Sequence, residues 1–568
     1  MRILLKHFKS YKKECIMGPL FKLLEASFEL IIPLVVASII NKGIGGNNTG
    51  YIVKMCAIMV GLGVIGLACS LTAQFFSAKA ATGFATGVRA ELFVHIQSLD
   101  YSRLDRLGTS SIITRLTNDI NQLQAGVNMT LRLFLRSPFI VFGATVMAFT
   151  INTKAALIFV AVVVILSIIV YGIMLITIPM YRDVQSGLDN VLDLARESIS
   201  GVRVIRAFGG EQREMKHFSE AGNVYVRMQN RAGRISALTN PLTFIVINLG
   251  IIFLMYVSAI RVDAGIITGG QAVALVNYMS QILVELIKLA NFIVLDIKAL
   301  ACASRIENIL NTEAAMQEGD FIGDIETAEV EFKNVSFSYY SDGNEALENV
   351  SFTAEAGEII GIIGGTGSGK TTLVNLIPRF YDASDGEVFV GGKNVREYTY
   401  NALRGNIGIV PQKAVLFSGT IRDNMKWGNA NASDEEICEA LRVAQAYDFV
   451  MEKEGGLDYE LSAGGGNLSG GQKQRLTIAR SLMMKPKILI LDDSASALDN
   501  ITYTNLMKAV TGLSEAPTLF IVSQRSMAVM NADRILVLDD GKVVGNGRHS
   551  ELVADCEVYR EIYESQYK

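Results

Sequence analysis

Disulfide frameworks, zinc sites and nucleic-acid surfaces all lack raw material in this sequence. Its 6 cysteines (Cys15, Cys56, Cys69, Cys302, Cys438, Cys556) are scattered, form no CxxC pair and have no histidine beside them, so they read as packing residues. The formal net charge of -4 is close to neutral for 568 residues and offers nucleic acid no basic footprint. Charged residues make up only 19% of the chain and hydrophobic ones 50%, which excludes an ordinary soluble enzyme of this length. The start is expected to stay on the protein rather than to be a removed signal. The start, MRILLKHFKSYKKEC, is basic and weakly amphipathic but runs into a long apolar stretch with no small-residue cleavage site, as expected of a retained interfacial helix.

What the chain has is long apolar runs, concentrated in its first half. Crossing a hydrocarbon core of about 30 Å takes roughly 20 mostly apolar residues. Six stretches meet that length: about 18–41, 52–78, 133–153, 156–180, 240–260 and 273–296. The connections after the first, third and fifth are short (NKGIGGNNTGY, INTKA, RVDAGIITGG), whereas those after the second and fourth are long and rich in Lys and Arg. The positive-inside bias therefore puts the long loops, both termini and the C-terminal domain in the cytoplasm of a cell whose membrane the chain crosses several times. Apolar residues in the long loops recur at helical spacing, so these read as helices continuing beyond the bilayer. Composition changes between about 310 and 328, where a helical pattern gives way to turn residues and then to an alternating strand near Val330. A transmembrane domain over 1–310 and an α/β domain over 328–568 are the expected units. Glu25 and Glu29 in the first span and Glu285 and Lys288 in the sixth are costly in lipid. They must face protein or a watery cavity: Glu285 and Lys288 sit three apart on one helical face and can pair, while Glu29 or Glu285 is placed to meet a cationic substrate.

The second half carries a nucleotide signature. GIIGGTGSGKTTL holds the P-loop pattern in Gly364, Gly365, Thr366, Gly367, Ser368, Gly369, Lys370, Thr371 and Thr372, after a strand-like EIIGII and before a helix-like TTLVNLIPRF. Glycines let backbone N–H groups wrap phosphates, Lys370 reaches the β- and γ-phosphates of ATP, and Thr371 offers its hydroxyl to Mg²⁺. ILILDDSASALD reads as a buried parallel strand delivering Asp492 as an anchor for Mg²⁺ and its waters.

NLSGGQKQRLTIARSL adds a second helix start at Ser469, Gly470 and Gly471, although one nucleotide needs one cradle. Here the sequence resembles the ABC transporter ATPases, and with six preceding spans the whole chain resembles a half-transporter of the exporter type. The resemblance implies an α-helical transmembrane domain fused to an α/β P-loop ATPase domain with a helical subdomain, working as a pair of subunits. It also implies that Ser469, Gly470, Gly471 and Gln472 close on the ATP held by a partner's P-loop. Tyr339 corresponds to the aromatic that stacks on adenine, Gln412 to the glutamine that contacts Mg²⁺ or its water, and Asp499 to the loop crossing the subunit interface. RLDRLG and GVRVIRAFGGEQ resemble the coupling helices that dock on the ATPase domains.

Three positions depart from the family pattern. Asp493 stands where a Glu usually polarises the attacking water, Gln524 where a His contacts the γ-phosphate, and Ala463 where an acid often precedes the signature. Aspartate is shorter by roughly 1 to 1.5 Å, and a displacement near 1 Å costs on the order of 100-fold in rate. Gln524 can hydrogen-bond a phosphate but cannot carry a proton as imidazole does. Both changes weaken hydrolysis, while the binding residues and LSGGQ are intact. The expected assembly is thus a heterodimer in which this chain's own site is degenerate and its LSGGQ completes the partner's hydrolytic site, exporting amphipathic compounds such as drugs or lipids. The alternatives are a homodimeric peptide or lipid exporter with two slow sites, and a regulatory or sensing complex.

Overall fold

The computed structural model describes residues 2–339 and 345–567. The chain divides into two compact units: Met1–Gln97 with Thr109–Thr312, and Ser98–Gly108 with Glu313–Lys568.

The first unit is wholly helical among the described residues. Its long elements are Lys12–Ser38, Thr49–Ser98, Arg136–Ile151, Thr153–Ser200, Glu211–Ala237, Thr239–Asp263 and Gly269–Leu310. The N-terminal segment is helical from Arg2 onward. Turns fall where local chemistry ends one helix and starts the next. In the INTKA connection Asn152 is the N-cap, its Oδ1 accepting from the N–H groups of Lys154 and Ala155 at 3.1 and 3.2 Å. Thr268 and Gln271 form a capping box before the last long helix. The long loops are indeed helical: Thr49–Ser98 has 50 residues and Thr153–Ser200 has 48, so at 1.5 Å per residue each runs about 75 Å, more than twice the hydrocarbon thickness.

Small residues let these helices pack closely. A Cβ on Gly126 would lie 2.3 Å from the Cβ of Ala299, and one on Gly18 would lie 2.6 Å from Ser77 Oγ. By length and apolar composition five helices qualify as membrane-crossing. The sixth expected span is a helix too, within Gly269–Leu310, which is not among those five and carries Glu285, Lys288, Asp296 and Lys298.

The second unit contains two larger sheets. The strand expected near Val330 runs Val330–Phe337 and lies between Leu347–Ala354 and Asp385–Val390 in an antiparallel sheet. The other sheet has six strands in the order Lys542–Gly547, Arg534–Asp539, Ile359–Gly364, Thr518–Ser523, Ile488–Asp492 and Ile407–Val410, all parallel but the first. Continuous apolar runs such as ILILD are buried at every position, as a sheet covered on both faces requires. Register then does the placing. Asp492 lies opposite Val522, Ser523 opposite Ile363 and Val410 opposite Leu491, so the C-terminal ends of four strands finish level.

Candidate functional site

In an open parallel sheet, ligands bind outside the C-terminal strand ends. Loops from those level ends enclose a cavity of about 350 Å³ lined by Tyr339, Thr366, Gly367, Gly369 to Thr372, Gln412, Asp492, Asp493 and Gln524, with Ala346, Val522 and Ser523. Most of the nucleotide-site residues expected from sequence are therefore gathered at one place. Two glycines of the loop are dictated by geometry. Gly369 has a left-handed φ of 93°, and a Cβ on Gly364 would lie 2.1 Å from the carbonyl of Leu538.

Among the described residues, the buried Lys370 and Asp492 of the cavity form no salt bridge. Lys370 donates to the carbonyls of Gly364 (3.0 Å) and Gly365 (2.5 Å) and to Ser368 Oγ (3.3 Å), and among the described residues it makes no ion pair. Burial lowers its pKa. Thr371 Oγ1 donates to Asp492, 3.1 and 3.0 Å from its two oxygens, and burial, with Asp493 adjacent, raises the Asp492 pKa. Asp493 leaves the strand with a left-handed φ of 45°, and Gln412 Nε2 makes a long 3.4 Å hydrogen bond to its Oδ2. The Gln524 carbonyl accepts from Gln566 Nε2 at 2.8 Å. Tyr339 shares a 3.0 Å hydrogen bond with Thr372 Oγ1 and stands edge-on to Phe337.

Other expected residues are elsewhere. Ser469 caps helix Gly470–Leu482 in a capping box with Gln472, and Asp499 caps Asn500–Thr511 by accepting from Thr502 N–H at 3.1 Å. None of Ser469 to Gln472 or Asp499 lines the cavity. Ala463 lies in a short 3-10 turn before them. Of the coupling segments, 98–108 groups with the ATPase unit. The other forms helix Val202–Ala207, in which Val204 is 60% exposed and after which Phe208 is 86% exposed, an apolar tip on a charged loop.

Two matches decide the family. A model of the ABC transporter transmembrane region covers residues 15–286, and an ABC transporter model covers 347–496. YfiB of Bacillus subtilis, an uncharacterised ABC transporter ATP-binding protein, is 36% identical over 567 residues, 100% of this chain and 99% of its own. The chain belongs to the ABC transporter family. It is a half-transporter of the exporter type, with a helical transmembrane domain fused to an ATPase domain that couples ATP hydrolysis to transport. An ATP-dependent lipid A-core flippase of Hahella chejuensis is 31% identical over 88% of this chain and 85% of its own. The fold matches that of a bacterial Atm1-family ABC exporter solved with ATP bound, with a TM-score of 0.82 and 98% of both chains covered at 23% identity.

Sequence reasoning missed two cations inside the expected spans, Arg136 and Lys22. Arg136, 6% exposed, donates to Glu285 Oε1 at 2.7 Å and to both oxygens of Glu29 at 2.9 and 2.8 Å. Ser137 and Lys288 also bond Glu285, each at 2.8 Å, so the Glu285 and Lys288 pair forms as expected. Lys22 donates to Glu25 at 2.6 Å. Both acids considered for a cationic substrate thus have partners within the protein. The available signal was an arginine inside the expected third span.

Proposed function

We propose that this ABC exporter chain is the degenerate-site half of a heterodimer in the cell membrane, its ATPase domain and termini cytoplasmic, moving amphipathic drugs or lipids. The observation carrying the proposal is that both departures from the family pattern, Asp493 and Gln524, line the same cavity as the intact Lys370, Thr371 and Asp492. The hydrolytic positions are altered in a pocket still equipped to bind. The signature residues Ser469 to Gln472 and Asp499 lie outside that pocket, which agrees with their serving a partner's nucleotide. The exposed apolar tip at Val204 and Phe208 also calls for a covering surface. The flippase relative supports a lipid among the substrates.

In this reading Tyr339 stacks on adenine, Gly364 to Gly369 wrap the phosphates, and Lys370 turns from the loop carbonyls to the β- and γ-phosphates. Thr371, Asp492 and Gln412 suit Mg²⁺. No group of three or more His, Cys, Asp or Glu able to hold a metal occurs among the described residues, and Mg²⁺ is ordinarily held by one or two protein oxygens, water and substrate phosphates. Held by Thr371, Asp492 and Gln412, Mg²⁺ would supply positive charge to offset that of the phosphates. Asp493, short by a methylene, and Gln524, unable to carry a proton, leave hydrolysis here slow.

The test compares the chain purified alone with the chain purified with its partner. Ser469→Arg abolishes most of the complex's ATPase activity, whereas Asp493→Asn lowers it only modestly. Equal, near-complete losses, or strong ATPase activity from this chain as a homodimer, would sink the proposal.

A further inference from the structure

Helix Glu557–Tyr567 contributes nothing to the lining of the nucleotide cavity, yet it holds the backbone of a residue that does. The helix is firmly docked. Tyr559 is fully buried near its start and shares a 2.7 Å hydrogen bond with His549 Nδ1, and Arg560 Nε donates to the Val553 carbonyl at 2.7 Å. One turn further along, the ring of Tyr563 stands edge-on to His549, with centroids 5.1 Å apart. The helix packs against strand Ile359–Gly364, which leads into the P-loop, and against helix Ser526–Val529.

Gln524 and Arg525 are the only two residues between strand Thr518–Ser523 and helix Ser526–Val529. The Arg525 N–H donates to Ser523 Oγ at 3.0 Å. Gln566, reaching in from the C-terminal helix, takes hold of the connection on either side of that bond. Its Nε2 donates to the Gln524 carbonyl at 2.8 Å, while its Oε1 accepts from the Ser526 N–H at 2.9 Å and from the Ser526 hydroxyl at 3.0 Å. A side-chain amide suits this place because it carries donor and acceptor side by side. Ser526 is 0% exposed, and its N–H, at the first position of a helix, has no partner within that helix; Gln566 satisfies it.

Gln524 itself is exposed, so packing does not choose its rotamer. Where its amide can reach is set by its backbone, and fixing the carbonyl fixes the direction of the Cα–Cβ bond. We infer that Gln566 is a positioning residue that aims Gln524 at the γ-phosphate, so that the C-terminal helix sets how well this site tells a nucleoside triphosphate from a diphosphate. The inference rests on the reading of Gln524 as the residue facing the γ-phosphate and not on the inequality of the two sites.

The test is equilibrium binding of β,γ-imido-ATP and of ADP, each with Mg²⁺, to the full-length chain in lipid nanodiscs, read by displacement of a fluorescent ATP analogue. Gln566→Leu, which neither donates nor accepts, lowers the preference for the triphosphate roughly tenfold, the worth of one hydrogen bond to a charged group, and leaves ADP affinity unchanged. Gln524→Ala lowers the preference by the same factor, and adding Gln566→Leu to it costs nothing more. A purely structural role would move both affinities together. An unchanged preference in Gln566→Leu, equal losses for the two nucleotides, or additive losses in the double variant overturn the inference. An unchanged preference in Gln524→Ala overturns it together with the reading of Gln524, and the single variants tell that case from the others.

Discussion

Buried charges are handled in opposite ways in the two units. In the transmembrane unit, Lys22, Arg136 and Lys288 are matched by Glu25, Glu29 and Glu285 through ion pairs of 2.6 to 2.9 Å. In the ATPase cavity, Lys370 rests on neutral carbonyls and a hydroxyl, and Asp492 accepts from the Thr371 hydroxyl. Physical chemistry assigns different purposes to these arrangements. A paired cluster holds helices together where lipid solvates no ion, and it has little charge left to give a ligand. An unpaired cluster is incomplete until phosphates and a cation arrive, and holding it incomplete is compatible with folding because the cavity opens to water.

Substitutions can break this contrast or sharpen it. Arg136→Ala should have the largest effect, a loss of about 3 to 5 kcal/mol of stability, since it removes the buried cation shared by Glu29 and Glu285 and leaves Glu285 with Lys288 and Ser137. Thermal unfolding of the detergent-solubilised protein measures it, and replacing Arg136 and Glu285 together by Met and Leu should recover part of the loss. Lys370→Ala should weaken ATP binding roughly 100-fold, equivalent to about 2.7 kcal/mol. Equilibrium binding of a fluorescent ATP analogue measures that loss, and the apo melting temperature should not fall, because no buried carboxylate is left without a partner. A fall matching that of Arg136→Ala would erase the distinction.

The smallest effect has the opposite sign. Because burial raises the Asp492 pKa, its ionised form costs stability above that pKa, and the cost vanishes as pH falls through it. Asp492→Asn should therefore raise the apo melting temperature at pH 8 by about 2 to 4 °C. The gap should close on acidification. A gap that widens at low pH would show Asp492 to be paired after all.

Legibility in the sequence followed the range of the interaction. The P-loop was readable because its requirements, glycines for a tight wrap and a lysine and threonine at the next helix start, lie within a few residues. ILILD could be read as a buried strand for the same reason. Arg136 could not be matched to its partners: Glu29 and Glu285 are 107 and 149 positions away, and periodicity says that a helix has a buried face without saying which face of which helix meets it. Composition placed a sixth span in Gly269–Leu310, but that its Glu285 would meet Arg136 was not readable there. RLDRLG was readable as a coupling segment, but its bond from Asp105 to Tyr381 was not.

The sequence by itself determined the two-solvent division of the chain and the P-loop pattern, because each is written in neighbouring residues or in gross composition. Tertiary structure alone decided that Asp493 and Gln524 share a cavity with Lys370, that LSGGQ lies outside it, and that the membrane charges neutralise one another. Those facts depend on strand register and on which helix faces pack, and both are set by burial summed over distant segments.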